Sequence, residues 1–205
     1  MAGGLLLMAA ALLLTGYNLW DERRATASAD SILLEMPAEI RAAAPAAPAP
    51  APEDPDEIEI PDYILNPNMD MPTVEIDGHA YIGVVKIPVL GLELPVMSEW
   101  SYPNLKTAPC RYTGSAYLGN LILAAHNYRT HFGGLKELVP GDEVTFTDAV
   151  GNVFRYTVAE LETLGKTDVE EMQAGDWSLT LFTCTYGGKS RVTVRCVPAE
   201  SGAAY

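Results

Sequence analysis

The chain has 205 residues, with 27 acidic against 13 basic side chains and a net charge of −14 at pH 7. That balance argues against nucleic acid or an anionic membrane surface as the main partner, since both call for a basic face. Three cysteines without a C-x-x-C pair rule out a disulfide framework, and only three histidines, His79, His126 and His131, argue against a His-rich metal site.

Residues 3–20 (GGLLLMAAALLLTGYNLW) carry no charge, and Asp21-Glu22-Arg23-Arg24 ends the run. Eighteen to twenty apolar residues, flanked by interface-seeking Tyr17 and Trp20, read first as a membrane anchor over 1–20. A cleaved signal peptide is the second reading, supported by the small residues at 25–29, and a buried soluble helix is the weakest. Arg23 and Arg24 taken alone would place the following residues in the cytoplasm. A linker spans 21–62: a short helix within 25–43, an Ala-Pro spacer at 44–52 (APAAPAPAP) and an acidic run at 53–62.

A globular head occupies 63–205. Residues 73–76, Asp77-Gly78 and 80–87 predict a β-hairpin with a tight turn, followed by a short strand at 92–96. Residues 118–125 (LGNLILAA) predict an apolar strand that delivers His126 to a loop. Residues 131–138 predict a turn or two of helix weakened by Gly133-Gly134. A further hairpin crosses 148–151, and 163–176 reads as a polar, acidic connection. Seven or eight short strands with few helices predict a mainly β fold, a closed or nearly closed β-barrel.

The last hairpin carries the chemistry. Residues 179–184 (LTLFTC) and 191–196 (RVTVRC) flank a Gly-Gly-containing loop. Opposite residues in an antiparallel pair share a face, so the apolar pattern selects a register. Pairing Cys184 with Arg191 sets Thr183 against Val192, Leu181 against Val194 and Leu179 against Cys196. Leu179, Leu181, Val192, Val194 and Cys196 then form a core face. Thr180, Phe182, Cys184, Arg191, Thr193 and Arg195 occupy the other. A one-residue slip would bury arginines among leucines. Cys196 therefore reads as a core thiol, whereas Cys184 is a thiol beside a guanidinium, where thiolate is favoured. A Cys184–Cys196 disulfide is disfavoured by opposite faces. Cys110 reads as a loop position. His126, at a strand end, suits an acid–base partner for a cysteine nucleophile, and equally suits a structural role. His131 reads as exposed and His79 as a turn residue. Arg191 suits oxyanion stabilisation or substrate holding. No cofactor is expected. Glu160, Glu162, Glu170 and Glu171 raise calcium, but a solvated acidic loop is the preferred reading.

Together, Thr180-Leu181-Phe182-Thr183-Cys184 followed by Arg191, and Ala125-His126-Asn127 some 58 residues before Cys184, resemble the T-L-x-T-C…R signature and the His loop of sortases. The resemblance covers 81–197. It implies an eight-stranded β-barrel cysteine transpeptidase of the Gram-positive cell membrane, single-pass, with the head outside. His126, Cys184 and Arg191 would be its catalytic residues. Its implied substrate is an LPXTG-like C-terminal sorting signal of a secreted protein, cleaved at the Thr–Gly bond. The implied acceptor is an amine of a cell-wall precursor or a pilin subunit. A secreted cysteine hydrolase of another fold and a surface-anchored, non-enzymatic binding module are the competing readings.

Overall fold

The computed structural model describes residues 2–37, 40, 60–185 and 187–199. Helix α1 (Ala2–Glu35) is followed by α2 (Asp62–Leu65), β1 (Val74–Ile76), β2 (His79–Ile87), β3 (Leu92–Met97), α3 (Tyr102–Leu105), β4 (Cys110–Thr113) and β5 (Leu121–Ala125). A 3₁₀ segment (Phe132–Glu137), β6 (Glu143–Asp148), β7 (Val153–Gly165), α4 (Val169–Gln173), β8 (Leu179–Cys184) and β9 (Ser190–Pro198) complete the order.

The strands follow one another as β1-β2-β3-β4-β5-β8-β9-β7-β6, and β6 returns to pair with β2. The eight strands β2 to β9 thus close a barrel, as expected, and closure leaves it without open edges. The β1–β2 hairpin turns at Asp77-Gly78, both with positive φ (49° and 74°), as a tight two-residue turn requires. Closure depends on Gly83. Its φ is 148°, and a Cβ there would lie 1.9 Å from the Thr147 carbonyl oxygen of β6, so only glycine lets β2 approach β6 this closely.

Alternate residues fill the barrel interior: Ile82, Val85 and Ile87 from β2, Leu121 and Leu123 from β5, and Leu179, Leu181, Val194 and Cys196 from β8 and β9. The β8–β9 register is the one that the apolar pattern selects, Leu179 to Cys196 through Cys184 to Arg191.

Two expectations are corrected. Cys110 is not in a loop: it begins β4, paired with Ala124 of β5, and is fully buried, which pushes its thiol up to about 12. With only four residues, β4 is too short to show a strand pattern. Residues 163–176 are more than a polar connection. β7 runs on to Gly165 because it pairs with the full length of β9, and α4 follows, placing buried Met172 over the sheet. The hairpin face opposite the core is itself largely covered. Thr180, Thr193 and Arg195 are buried, and Phe182 packs with Met172, Ile122 and Ala124. Arg195 is satisfied there by Glu162 (2.7 Å), the Met172 and Glu171 carbonyls (2.7 and 2.6 Å) and Thr180 (3.1 Å). A buried guanidinium with this many acceptors is a structural fastener. It also occupies Glu162, one of the four glutamates that raised calcium.

Helix α1 runs on without a break past residue 20, through Glu35. Its first part is exposed apolar surface (Leu5 70%, Leu13 75%, Trp20 58%), and it is the one helix among the described residues long and apolar enough to cross a membrane. Its second part is docked on the barrel. Ala25, Ala29, Ile32 and Met36 recur at helical spacing and are buried, Ile32 and Met36 against Ile76, Tyr81, Val84 and Met97. The two small alanines let the helix lie close. The Ala-Pro spacer and most of the acidic run lie outside the described residues.

Candidate active site

Three neighbouring strands bring the three candidate residues to one end of the barrel. β5 and β8 run parallel with Ala125 opposite Thr183, so the next residues, His126 just past β5 and Cys184 at the end of β8, come at the same end of neighbouring strands. The Thr183 hydroxyl fixes this junction by donating to the Ala125 carbonyl at 2.9 Å, across a gap of 58 residues in sequence. β9 lies on the other side of β8 and pairs Arg191 with Cys184. The β8–β9 loop is closed at its base, where the Thr185 amide donates to the Ser190 carbonyl at 2.9 Å and the two side-chain hydroxyls meet at 3.0 Å.

Cys184 is exposed, whereas Cys110 and Cys196 are buried, and all three thiols are free. Burial pushes Cys196 up to about 12, which suits an inert core thiol. Of the three, only Cys184 is reachable; it pairs with Arg191 and lies one residue past the Ala125–Thr183 pairing that precedes His126. The Arg191 Nη1 donates to the backbone carbonyl of Gly165 at 3.2 Å and also to that of Lys166, and the guanidinium carbon sits 5.9 Å from the centre of the Phe182 ring. One edge of the fork therefore anchors the end of β7, and the aromatic face beneath fixes its plane.

His126 is half-buried. Its ring stacks on Tyr128 with centroids 4.0 Å apart and planes at 11°, and its Nδ1 is buried without a hydrogen-bond partner. Burial holds the imidazole below its ordinary value, while the Asn127 side chain and the Asp21 carboxylate pull the other way. The loop after His126 is wound tightly: the amides of His131 and Gly133 both donate to the Tyr128 carbonyl (3.0 and 2.9 Å). A Cβ at Gly133 would lie 2.6 Å from the Asn127 carbonyl oxygen.

His131, expected to be exposed, is completely buried, its ring edge-on to Tyr128 at 5.4 Å. The turn folds inward because Phe132 and Leu135 enter the core. His79 is exposed at the start of β2. Burial, and to a lesser extent the charge of His126, lower His131 to about 4. A histidine whose folded value is depressed from about 6.5 to about 4 weakens folding as the pH drops through that window, by roughly 3 kcal/mol in full. The stability lost between pH 7 and pH 4.5, measured by urea unfolding, is therefore expected to be smaller in His131→Phe than in the parent chain. Equal losses would contradict a neutral buried His131.

Sequence reasoning missed Tyr128 and Asp21. Tyr128 lies only two residues beyond His126, but its stacking on that ring depends on the loop's folding back. Asp21 reads as a charge ending an apolar run, yet its carboxylate accepts the Tyr128 hydroxyl proton.

A closed eight-stranded barrel with a reachable thiol, an imidazole and a guanidinium at the ends of three adjacent strands defines a β-barrel class with one thiol-centred site. A family model for the sortase domain matches residues 85–199, more than half of the chain, and the chain belongs to the sortase family. Similar solved structures include sortase A from Corynebacterium diphtheriae, at 19% identity and TM-score 0.55, covering 62% of this chain and 64% of that one. The chain thus spans just under two thirds of that relative's length. Sortase C1 from Streptococcus agalactiae is 25% identical with TM-score 0.51, covering 66% and 76% of the two chains. Clostridium perfringens sortase C, solved with the C-terminal cell wall sorting motif, is 23% identical with TM-score 0.53, covering 70% and 78%. A search of curated proteins gives no match.

Proposed function

We propose that the chain is a membrane-anchored cysteine transpeptidase that cuts an LPXTG-like sorting signal and joins the acyl product to an amine. The observation that carries this reading is the register across β5, β8 and β9, which gathers His126, Cys184 and Arg191 in a chain of the sortase family. The Cys184 thiolate attacks the threonine carbonyl carbon of the signal, and the developing oxyanion is held by Arg191. Imidazolium His126 gives its proton to the departing glycine amine, and the carbon–nitrogen bond breaks to leave a thioester on Cys184. An incoming amine loses its proton to neutral His126 as it attacks the thioester, and the thiolate is released. The acceptor amine comes from a cell-wall precursor or a pilin subunit.

In this reading residues 1–20 span the membrane once, and the barrel, 63–205, works on the outer face. The exposed apolar surface of α1 supports the span, and membership in the sortase family supports the orientation. No cofactor takes part in the proposed reaction, because each step uses only the thiol, the imidazole and the guanidinium.

The test is a sorting-signal peptide library incubated with the full chain and triglycine, with product masses recorded. A ligated product is expected. Hydrolysis alone would make the protein a cysteine hydrolase, and an inert peptide pool together with an unreactive Cys184 would make it a binding module.

A further inference from the structure

Helix α1 does more than approach the barrel. Immediately after its apolar run, three consecutive residues of the His126 loop are tied to it. The Tyr128 hydroxyl donates to Asp21, the Arg129 amide donates to the Glu22 carboxylate at 2.7 Å, and the hydroxyls of Thr130 and Thr26 meet at 2.9 Å. Asp21 is itself steadied by Arg24, at 3.0 Å. These contacts join residues more than 100 positions apart, and they fall on the loop that carries His126. A cavity of about 630 Å³ opens between the helix and this loop, lined in part by Tyr17, Asn18, Lys106 and His126.

The imidazole is held by two neighbours from its own loop, the Asn127 side chain and the stacked ring of Tyr128. The strand ends at Ala125, and Nδ1 has no hydrogen-bond partner to set the ring's rotation. The stacked phenol ring at 4.0 Å is what sets its plane. The phenol in turn makes an edge contact with His131 and is held at its hydroxyl by Asp21.

We propose that Tyr128 is a positioning residue for His126 and that Asp21 of α1 holds it in place, so that the helix which anchors the chain also sets the orientation of the catalytic imidazole. This inference rests on the transpeptidase reading for the role of His126. Its geometric part, the coupling of Asp21 through Tyr128 to the His126 ring, is independent of that role. The charged and titratable groups around the ring are Asp21, Glu22 and Arg24 from α1, Lys106 beyond α3, Arg129 and His131 from its own loop, and Cys184 and Arg191 from β8 and β9. Burial, to which the stacked Tyr128 ring adds, disfavours the imidazolium, Asn127 and Asp21 favour it, and the Tyr128 hydroxyl is driven upward by burial and by Asp21.

The test uses the full chain in lipid nanodiscs, with Tyr128→Ala, Tyr128→Phe, Asp21→Asn and the double variant Asp21→Asn/Tyr128→Phe. The titration of His126 is followed by NMR of labelled histidine, with His126→Gln to assign its signal, and kcat and KM are measured for peptide transfer to triglycine. Tyr128→Ala is expected to raise the His126 midpoint toward about 6.5 and to lower kcat about tenfold with KM within about twofold. Tyr128→Phe keeps the stack and should recover only part of that loss. Asp21→Asn and Tyr128→Phe should each lower kcat about threefold, and the double variant should be no slower than either alone, because both break one bond. An unchanged midpoint and kcat in Tyr128→Ala, or multiplicative losses in the double variant, would overturn the proposal. If the parent chain transfers no peptide, the transpeptidase reading fails and the titration alone decides the coupling. If it transfers peptide while the variants titrate and turn over like it, the coupling fails and the transpeptidase reading stands.

Discussion

Cys184→Ala is expected to abolish both peptide cleavage and capture of an acyl-enzyme, a loss of about 10⁴-fold or more in kcat/KM that reaches the detection limit. The stability of the barrel should stay within about 0.5 kcal/mol, since the thiol is exposed at the end of β8 and packs against nothing in the core. The pairing of these two outcomes is diagnostic. Cys196 and Cys110 cannot substitute, because both are fully buried and both are pushed up to about 12. Activity that survives in Cys184→Ala, followed by product mass, would remove the nucleophile from the proposed reaction.

Arg191→Lys is expected to lower kcat/KM about 100-fold while the protein stays folded. The reason lies in how the guanidinium is used. Nη1 is spent on the carbonyls that end β7 and the plane rests against Phe182, so in the proposed reaction the oxyanion is left to the remaining donors of the fork. A lysine ammonium can satisfy the carbonyls or an oxyanion, but it has no rigid fork with which to do both, and it lacks the flat face that stacks on the ring. Wild-type rates in Arg191→Lys would demote Arg191 to a strut between β9 and β7. Arg195 is no reserve for it, because it is buried and bound by Glu162, Thr180 and two carbonyls of α4.

How far the amino-acid sequence leads can be judged at particular residues. The β8–β9 register was legible because alternation of Leu, Val and Cys against Arg admits one pairing, and the same rule separated Cys184 from Cys196. The β1–β2 turn was legible in Asp77-Gly78. Barrel closure was legible only as a strand count, since the position that permits it, Gly83, looks like any glycine in a strand until β6 lies across it.

What stayed hidden depends on contacts distant in the chain. His131 follows polar residues and reads as exposed, yet Phe132 and Leu135 draw it inward. Arg195 looks like a surface charge until α4 covers it. The neighbourhood of His126 and Cys184 is a parallel pairing between strands 58 residues apart, which no local pattern reveals. The docking of α1 left one weak trace, the spacing of Ala25, Ala29, Ile32 and Met36, but alanine carries too little hydrophobicity to stand out beside a run of leucines.

The central claim is that Cys184 forms a thioester which an amine resolves, and its most direct measurement is intact-protein mass followed by peptide mapping after the full chain meets a sorting-signal peptide without acceptor. The expected result is an adduct equal to the peptide cut after threonine, located on Cys184 and discharged as ligated product when triglycine is added. An adduct on another residue, or peptide cleavage with no adduct and no ligated product, would contradict it.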